Sequence, residues 1–197
     1  MRIFSILVLF VLIGVAGCDR KSAVEVPADG IIRLSEQFSS DFSLIDENGQ
    51  PFTNEDVKGS VAVVYFGFAT CPDVCPLALG TLSAALNELD EGERNALSPL
   101  FITVDPERDT PELVKTYLSS FHEDIRGLSG TVEAVDQARQ SFKVFASKEL
   151  LNDSALEYTM NHTSLFYVID KKGKPTLALR DTLSPQQLAE MLRRSIK

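Results

Sequence analysis

The sequence predicts an α/β protein, a central mixed sheet flanked by helices on both faces, and three observations predict it. Apolar runs at residues 61–66 and 99–104 read as buried strands. Segments with apolar residues at helical spacing alternate with them. A strand–turn–strand pattern at each end of the domain, 42–53 and 164–179, supplies antiparallel neighbours. At 197 residues, 44% of them apolar, the chain is long enough for one domain with an ordinary core. The formal charge of −9 and the lack of a basic stripe argue against nucleic acid as a partner.

Met1-Arg2 opens the chain with a positive charge, and residues 3–15 are an almost unbroken apolar run. That length fits a signal-peptide core and falls short of the ~20 residues that span a bilayer. Val15-Ala16-Gly17-Cys18 resembles the bacterial lipobox, in which the cysteine becomes the lipidated first residue of the mature protein. Residues 1–17 are therefore expected to be a lipoprotein signal peptide and 18–37 a lipid-anchored tether containing Pro27 and Gly30, with the folded domain at 38–197. Asp19 resembles the signal that retains such proteins on the inner membrane, with the domain facing the periplasm or the cell exterior.

Asp46-Glu47-Asn48-Gly49-Gln50 is the turn of the N-terminal β-hairpin, Asn-Gly being a strong hairpin signal. After the 61–66 strand, Ala78, Leu82, Ala85, Leu86 and Leu89 mark a helix over 77–89. Pro76 is expected at its first position, with Cys75 held outside the helix just before it. Thr110 as N-cap and Pro111 behind it start a helix through residue 121. Val132, Val135, Ala138 and Phe142 mark another. Asp170-Lys171-Lys172-Gly173 turns the 164–169 strand back into 176–179, and Ser184 caps a last helix with Leu188, Met191, Leu192 and Ile196 inward.

Cysteine arithmetic carries the chemistry. With Cys18 lipidated, the two remaining cysteines are Cys71 and Cys75, in the turn between the central strand and its helix. One pair in an exported chain is no disulfide framework, and a bridge closing so short a loop constrains the unfolded chain little. The positive end of a helix beside both sulfurs favours thiolate. Two such thiolates close as a disulfide or grip a soft metal ion. Of the two histidines, His122 lies in a charged segment and is expected to be a solvated surface residue. His162 falls in a loop just before the 164–169 strand, where sites in open α/β sheets gather. Two sulfurs and one imidazole form a coherent ligand set for copper, Cu(I) or Cu(II), whereas a structural zinc site would want a fourth protein ligand.

Thioredoxin-like oxidoreductases place a cis-proline loop against their dithiol. No proline lies between Pro111 and Pro175 here, and His162 stands about where that proline would be. The cysteines are separated by three residues rather than the two of the common redox motif.

Cys71-Pro72-Asp73-Val74-Cys75-Pro76, the stretch from Val104 to Thr110, and His162-Thr163 followed by a strand ending Ile169-Asp170 together resemble the Sco/SenC family, over roughly residues 38–197. The resemblance implies a thioredoxin-like fold and copper held by Cys71, Cys75 and His162. It further implies delivery to the dinuclear copper centre of cytochrome c oxidase, with that centre's subunit as partner and other periplasmic copper carriers in the same chain of transfer. Asn161 departs from the family, in which an aspartate often precedes the histidine, and the lost charge bears on how the imidazole is oriented. Asp105 and Asp109 read by default as helix-start caps, while the resemblance gives Asp105 and Arg108 a supporting place near the dithiol. Asp73 is either solvated or tunes the thiols and meets a partner, and Met160 reads as packing rather than an axial ligand. The chain is thus read as a carrier rather than an enzyme. A thiol-disulfide oxidoreductase using Cys71 and Cys75 as a redox-active pair is the alternative, and a peroxidase, from the Thr70-Cys71 neighbourhood, is a more distant third.

Overall fold

The computed structural model describes residues 29–152 and 156–197. The expected signal peptide, Cys18 and the first part of the tether lie outside them. Eight strands form one sheet: β1 (Ile31–Arg33), β2 (Ser43–Asp46), β3 (Pro51–Thr53), β4 (Val61–Gly67), β5 (Leu97–Thr103), β6 (Arg126–Ser129), β9 (Leu165–Ile169) and β10 (Pro175–Arg180), in the order β1-β10-β9-β4-β5-β6-β2-β3. Two more, β7 (Ala146–Leu150) and β8 (Tyr158–His162), pair only with each other. The helices are α1 (Val74–Asn87), α2 (Glu91–Asn95), α3 (Pro111–Leu118), α4 (Val132–Ser141) and α5 (Pro185–Ile196).

The sheet is mixed, as the sequence predicts. β4 runs parallel to β5 and β5 to β6, whereas β9 is antiparallel to β4. All seven residues of β4 are buried, so helices cover both of its faces. α1 and α5 pack together and α5 reaches β4, while α3 packs on β6 and α4 on β2. The N-terminal hairpin forms with Leu44 opposite Phe52, and Gly49 takes the left-handed conformation its turn requires. Asp46 accepts the backbone N–H groups of Asn48 and Gln50 at 2.9 and 2.8 Å, which fixes that turn.

The structure differs from expectation at several points. Ile31–Arg33, inside the expected tether, is an edge strand on β10; three residues are too few for a periodicity to show. α1 begins at Val74, so Pro76 stands third in the helix and Cys75 lies inside its first turn rather than before it. Proline is tolerated there because the first N–H groups of a helix have no partner inside it. α3 stops at Leu118. β6 escaped notice because Arg126-Gly127-Leu128-Ser129 is polar and contains glycine. That glycine is needed, since a Cβ on it would stand 2.3 Å from Val114 Cγ1 of α3.

A second close approach ends β4. A Cβ on Gly67 would stand 2.8 Å from Phe101 Cε2 and 3.0 Å from both Cys75 Sγ and Tyr65 Cε1. Gly67→Ala is therefore expected to lower stability by about 1–3 kcal/mol through overpacking, measured by thermal denaturation. An unchanged transition would show that the sulfur and rings give way freely.

Candidate functional site

The site is built at the C-terminal ends of β4 and β5, where the chain turns from β4 into α1. The Cys71 N–H donates to the Phe68 carbonyl at 3.2 Å, closing the turn. The Cys75 N–H, in the first turn of α1, donates to Cys71 Sγ at 3.4 Å. Cys71 is half-buried and Cys75 fully buried, and both are free thiols.

His162 arrives from the other side as the last residue of β8, a strand rather than the expected loop. Its Nδ1 is 3.0 Å from the Thr163 carbonyl. A carbonyl only accepts, so Nδ1 carries the proton, and in the neutral ring Nε2 keeps its lone pair. Nε2 lies 3.5 Å from Cys75 Sγ. Metal bonds of about 2.3 Å to sulfur and 2.0 Å to nitrogen would set two tetrahedral ligand atoms about 3.5 Å apart, which this pair matches. Tyr65 and Phe68 meet the imidazole edge-on, with centroids at 6.2 and 5.9 Å, and restrict its rotation. Among the described residues no three or more His, Cys, Asp or Glu side chains form a ready-made metal cage. Cys75 instead links the three groups pairwise, its N–H to Cys71 Sγ and its own sulfur to His162 Nε2.

The two thiols are electrostatically unequal. Hydrogen bonding from the Cys75 side chain, aided by the N–H groups of Cys75 and Asp73, brings the Cys71 thiol down to about 4 despite its partial burial. The same sulfur–sulfur bond and full desolvation push the Cys75 thiol up. At neutral pH the reduced pair is a half-exposed thiolate held by a buried thiol.

A family model described as SCO1/SenC matches residues 32–197. The chain belongs to the SCO1/SenC family. It is 40% identical over 156 residues to the mitochondrial protein SCO2 of Saccharomyces cerevisiae, a match covering 79% of this chain and 52% of the yeast protein. It therefore spans about half the length of that relative. With the SCO2-like protein of Rickettsia felis it shares 34% identity over 95% of this chain and 94% of the other. The solved structure of Bradyrhizobium japonicum ScoI with copper bound superimposes with a TM-score of 0.74 at 35% identity, covering 80% of this chain and 99% of that one. The fold is accordingly the thioredoxin-like fold of the Sco proteins.

Within this Sco domain the residues expected to support the site fall into distinct places. Neither Asp105 nor Asp109 caps α3 with its side chain; that cap is Thr110. Asp105, 1% exposed, accepts from Arg108 Nε and, at 2.9 Å, from the Tyr158 hydroxyl. Arg108 Nη1 donates to the Tyr158 carbonyl at 2.9 Å, and its guanidinium stacks 3.8 Å from the Tyr158 ring centroid. Together they clamp the β7–β8 hairpin, and with it His162, to the loop after β5. Asp109 is fully buried and accepts from the Ala69 N–H at 2.9 Å and the Thr103 hydroxyl at 2.6 Å, which ties down the cysteine turn. Asp73 is exposed and occupies the N-cap position of α1 without a side-chain capping bond.

Met160 packs against the core. Asn161 reaches across the hairpin to Glu149 at 2.7 Å, so the imidazole is oriented by the Thr163 carbonyl rather than by residue 161. His122 is not the solvated residue expected: its side chain is 12% exposed, and its Nδ1 accepts the Asp124 N–H at 3.2 Å. Sequence reasoning missed Gly67, Tyr65, Tyr158 and Thr163. The glycine between two phenylalanines was the one visible sign.

The unequal thiols have a measurable consequence. An acid whose pKa is lowered stays ionised until the pH falls to the lowered value. Alkylation of Cys71 in the reduced, metal-free chain is thus expected to keep its plateau rate from pH 8 to 5 and fall only near 4, with Cys75 protected. A rate dropping about tenfold per pH unit below ~8.5, as for an ordinary cysteine, would contradict this ionisation.

Proposed function

We propose that this chain is a membrane-anchored copper carrier for the dinuclear centre of cytochrome c oxidase, holding one ion on Cys71, Cys75 and His162. The observation that carries the reading is the imidazole Nε2 with its free lone pair 3.5 Å from Cys75 Sγ. Two supports come from the family: its description as one of cytochrome c oxidase assembly proteins, and the copper in the ScoI structure. Soft thiolates favour Cu(I), and the imidazole also accommodates Cu(II).

The ion would enter from the Cys71 side, where a thiolate is already present and reachable. Binding to Cys75 then displaces that thiol's proton, so loading releases acid. Transfer runs the other way by ligand exchange, the acceptor's soft ligands replacing Cys71 first and the buried Cys75 and His162 last. Asp105 and Arg108 serve by holding the hairpin that carries His162, and Asp73 lies on the exposed rim where an acceptor would meet the turn.

Titration of the full chain with Cu(I) against a competing chelator tests the ligand set. Cys71→Ala and Cys75→Ala are each expected to lose stoichiometric binding, and His162→Ala to weaken it about 10–100-fold, the scale on which groups around a metal tune affinity. Unchanged affinity in all three variants would remove the site.

Anchoring belongs to the same proposal: signal peptide 1–17, lipid on Cys18, and a tether leading to the domain outside the cytoplasm. Among the described residues no helix is long and apolar enough to cross a membrane. Metabolic labelling with radioactive palmitate should mark the wild-type chain and not Cys18→Ser. Equal label in both would exclude a lipid at that cysteine.

The second reading, thiol-disulfide exchange with partner cysteines, is favoured by one specific feature: a half-exposed thiolate at Cys71 backed by a buried thiol, the asymmetry an attacking dithiol needs. Metal-free trapping of mixed disulfides with Cys75→Ser distinguishes it from delivery alone.

A further inference from the structure

The β7–β8 hairpin ends beside the site in an irregular way. In an antiparallel ladder every second pair of facing residues exchanges both of its N–H and C=O bonds. The Leu151 N–H donates to the Glu157 carbonyl at 2.8 Å, and the register sets Glu149 opposite Thr159 and Ser147 opposite Asn161. In the same phase, Phe145 and Thr163 are the next pair due to exchange both bonds. One of the two is made: the Thr163 N–H donates to the Phe145 carbonyl at 3.0 Å. The reciprocal Phe145 N–H goes to the Thr163 hydroxyl instead, at 3.1 Å. Strand pairing stops one residue short, at Ala146 and His162.

That substitution leaves the Thr163 carbonyl outside the ladder, where it lies 3.0 Å from His162 Nδ1. The group that orients the imidazole is backbone, but what leaves it free is a side chain. The frame against which the hydroxyl bears is firm. Val144 is buried and its N–H donates to the Arg139 carbonyl at 2.8 Å. The Ala146 carbonyl accepts from Arg139 Nη1 at 3.2 Å. Phe145 is thus held on both sides by one residue near the end of α4.

We propose that Thr163 is a positioning residue for His162: its hydroxyl takes the N–H that would otherwise claim the Thr163 carbonyl, and so frees that carbonyl to hold Nδ1–H and keep the Nε2 lone pair toward Cys75. Threonine suits the task because its oxygen is carried on Cβ, next to the backbone, and its branching restricts χ1. A residue without the hydroxyl returns the carbonyl to Phe145. The ring then loses its acceptor at Nδ1, and its proton redistributes toward Nε2, the nitrogen that lies 3.5 Å from Cys75 Sγ. No charge changes; a neutral ring exchanges one tautomer for the other. This role rests on the reading of His162 as a metal ligand, but the bonds that create it are complete without the ion.

The test uses the full chain, reduced and metal-free in detergent micelles, with isotope-labelled histidine, and reads the ring nitrogens by NMR in alkaline buffer with the ring neutral. The wild-type His162 is expected to carry its proton on Nδ1. His122, whose Nδ1 accepts the Asp124 N–H, is the internal reference of opposite tautomer. In Thr163→Val, close in shape and lacking the hydroxyl, the ratio of Nδ1–H to Nε2–H at His162 should fall about threefold to tenfold, the worth of one hydrogen bond. Thr163→Ser should restore it, and His122 should not move. A threonine that served only the fold would lower the melting temperature of Thr163→Val and leave the ratio in place; a fall of less than about threefold overturns the proposal. So does a wild-type ring protonated on Nε2, a result that needs no variant to fold. Because no copper is added, a His162→Ala chain with unchanged copper affinity would remove the carrier reading and leave this answer standing.

Discussion

The structure depends on Cys75 being buried at the one place where strand, helix and hairpin meet. Its sulfur sits under the glycine that ends β4, within the first turn of α1, and 3.5 Å from an imidazole brought by β8. A lone thiol so placed would be an inert core group. What makes it chemical is the second sulfur four residues earlier, which accepts the Cys75 N–H. Burial disfavours charge on Cys75 and so concentrates it on Cys71, which is the sulfur that solvent and partners reach. One constraint, desolvation of one sulfur, thereby creates both an exposed nucleophile and an interior ligand position.

That position is served by two pieces of scaffold with different rigidity. The thiols ride on the central sheet, where β4 is buried on both faces and Asp109 pins the turn through the Ala69 N–H. The imidazole rides on a two-stranded hairpin that shares no strand pairing with that sheet. Its geometry therefore rests on side chains, above all Asp105, Arg108 and Tyr158. The guanidinium is 21% exposed and its carboxylate partner 1%, so the pair is shielded from solvent, and losing either member would strand a buried charge. The aspartate and arginine thus act at a distance from the thiols, as struts for the element that carries His162.

Much of this was legible in the sequence, for identifiable reasons. The strands at the centre show as apolar runs because both faces are buried. The caps at Thr110 and Ser184 show because helix starts have few solutions. The thiol pair and His162 stand out through scarcity, since few residues of those types exist in the chain. What stayed hidden depends on partners far away in sequence. β7 and β8 are short, half-exposed and polar, so the hairpin has no hydrophobic period and exists because Arg108 and Asp105 hold it. Asp109 looks like one more helix-start acid until Ala69 and Thr103 are seen to point at it. Asn161 suggests a lost orienting charge, whereas the backbone carbonyl of the next residue but one, Thr163 following His162, does that work with no side-chain signature at all.

For the proposed carrier, the same division would let an ion be held firmly and still be given up. A site made wholly from the central sheet would be rigid, and its ligands could leave only with local unfolding. Of the three proposed ligands, Cys71 is exposed, Cys75 is interior, and His162 sits on an appended element fixed by a few polar contacts. In the proposed transfer the exposed thiolate would be the point at which an incoming ligand starts exchange, and the hairpin the coordinate along which the last bond opens. Opening along it would leave the core intact, because the contacts that hold the hairpin are those between Arg108, Asp105 and Tyr158 and not those within the β4–β5 sheet. In that proposal affinity comes from the fold's buried half and exchange from its surface half.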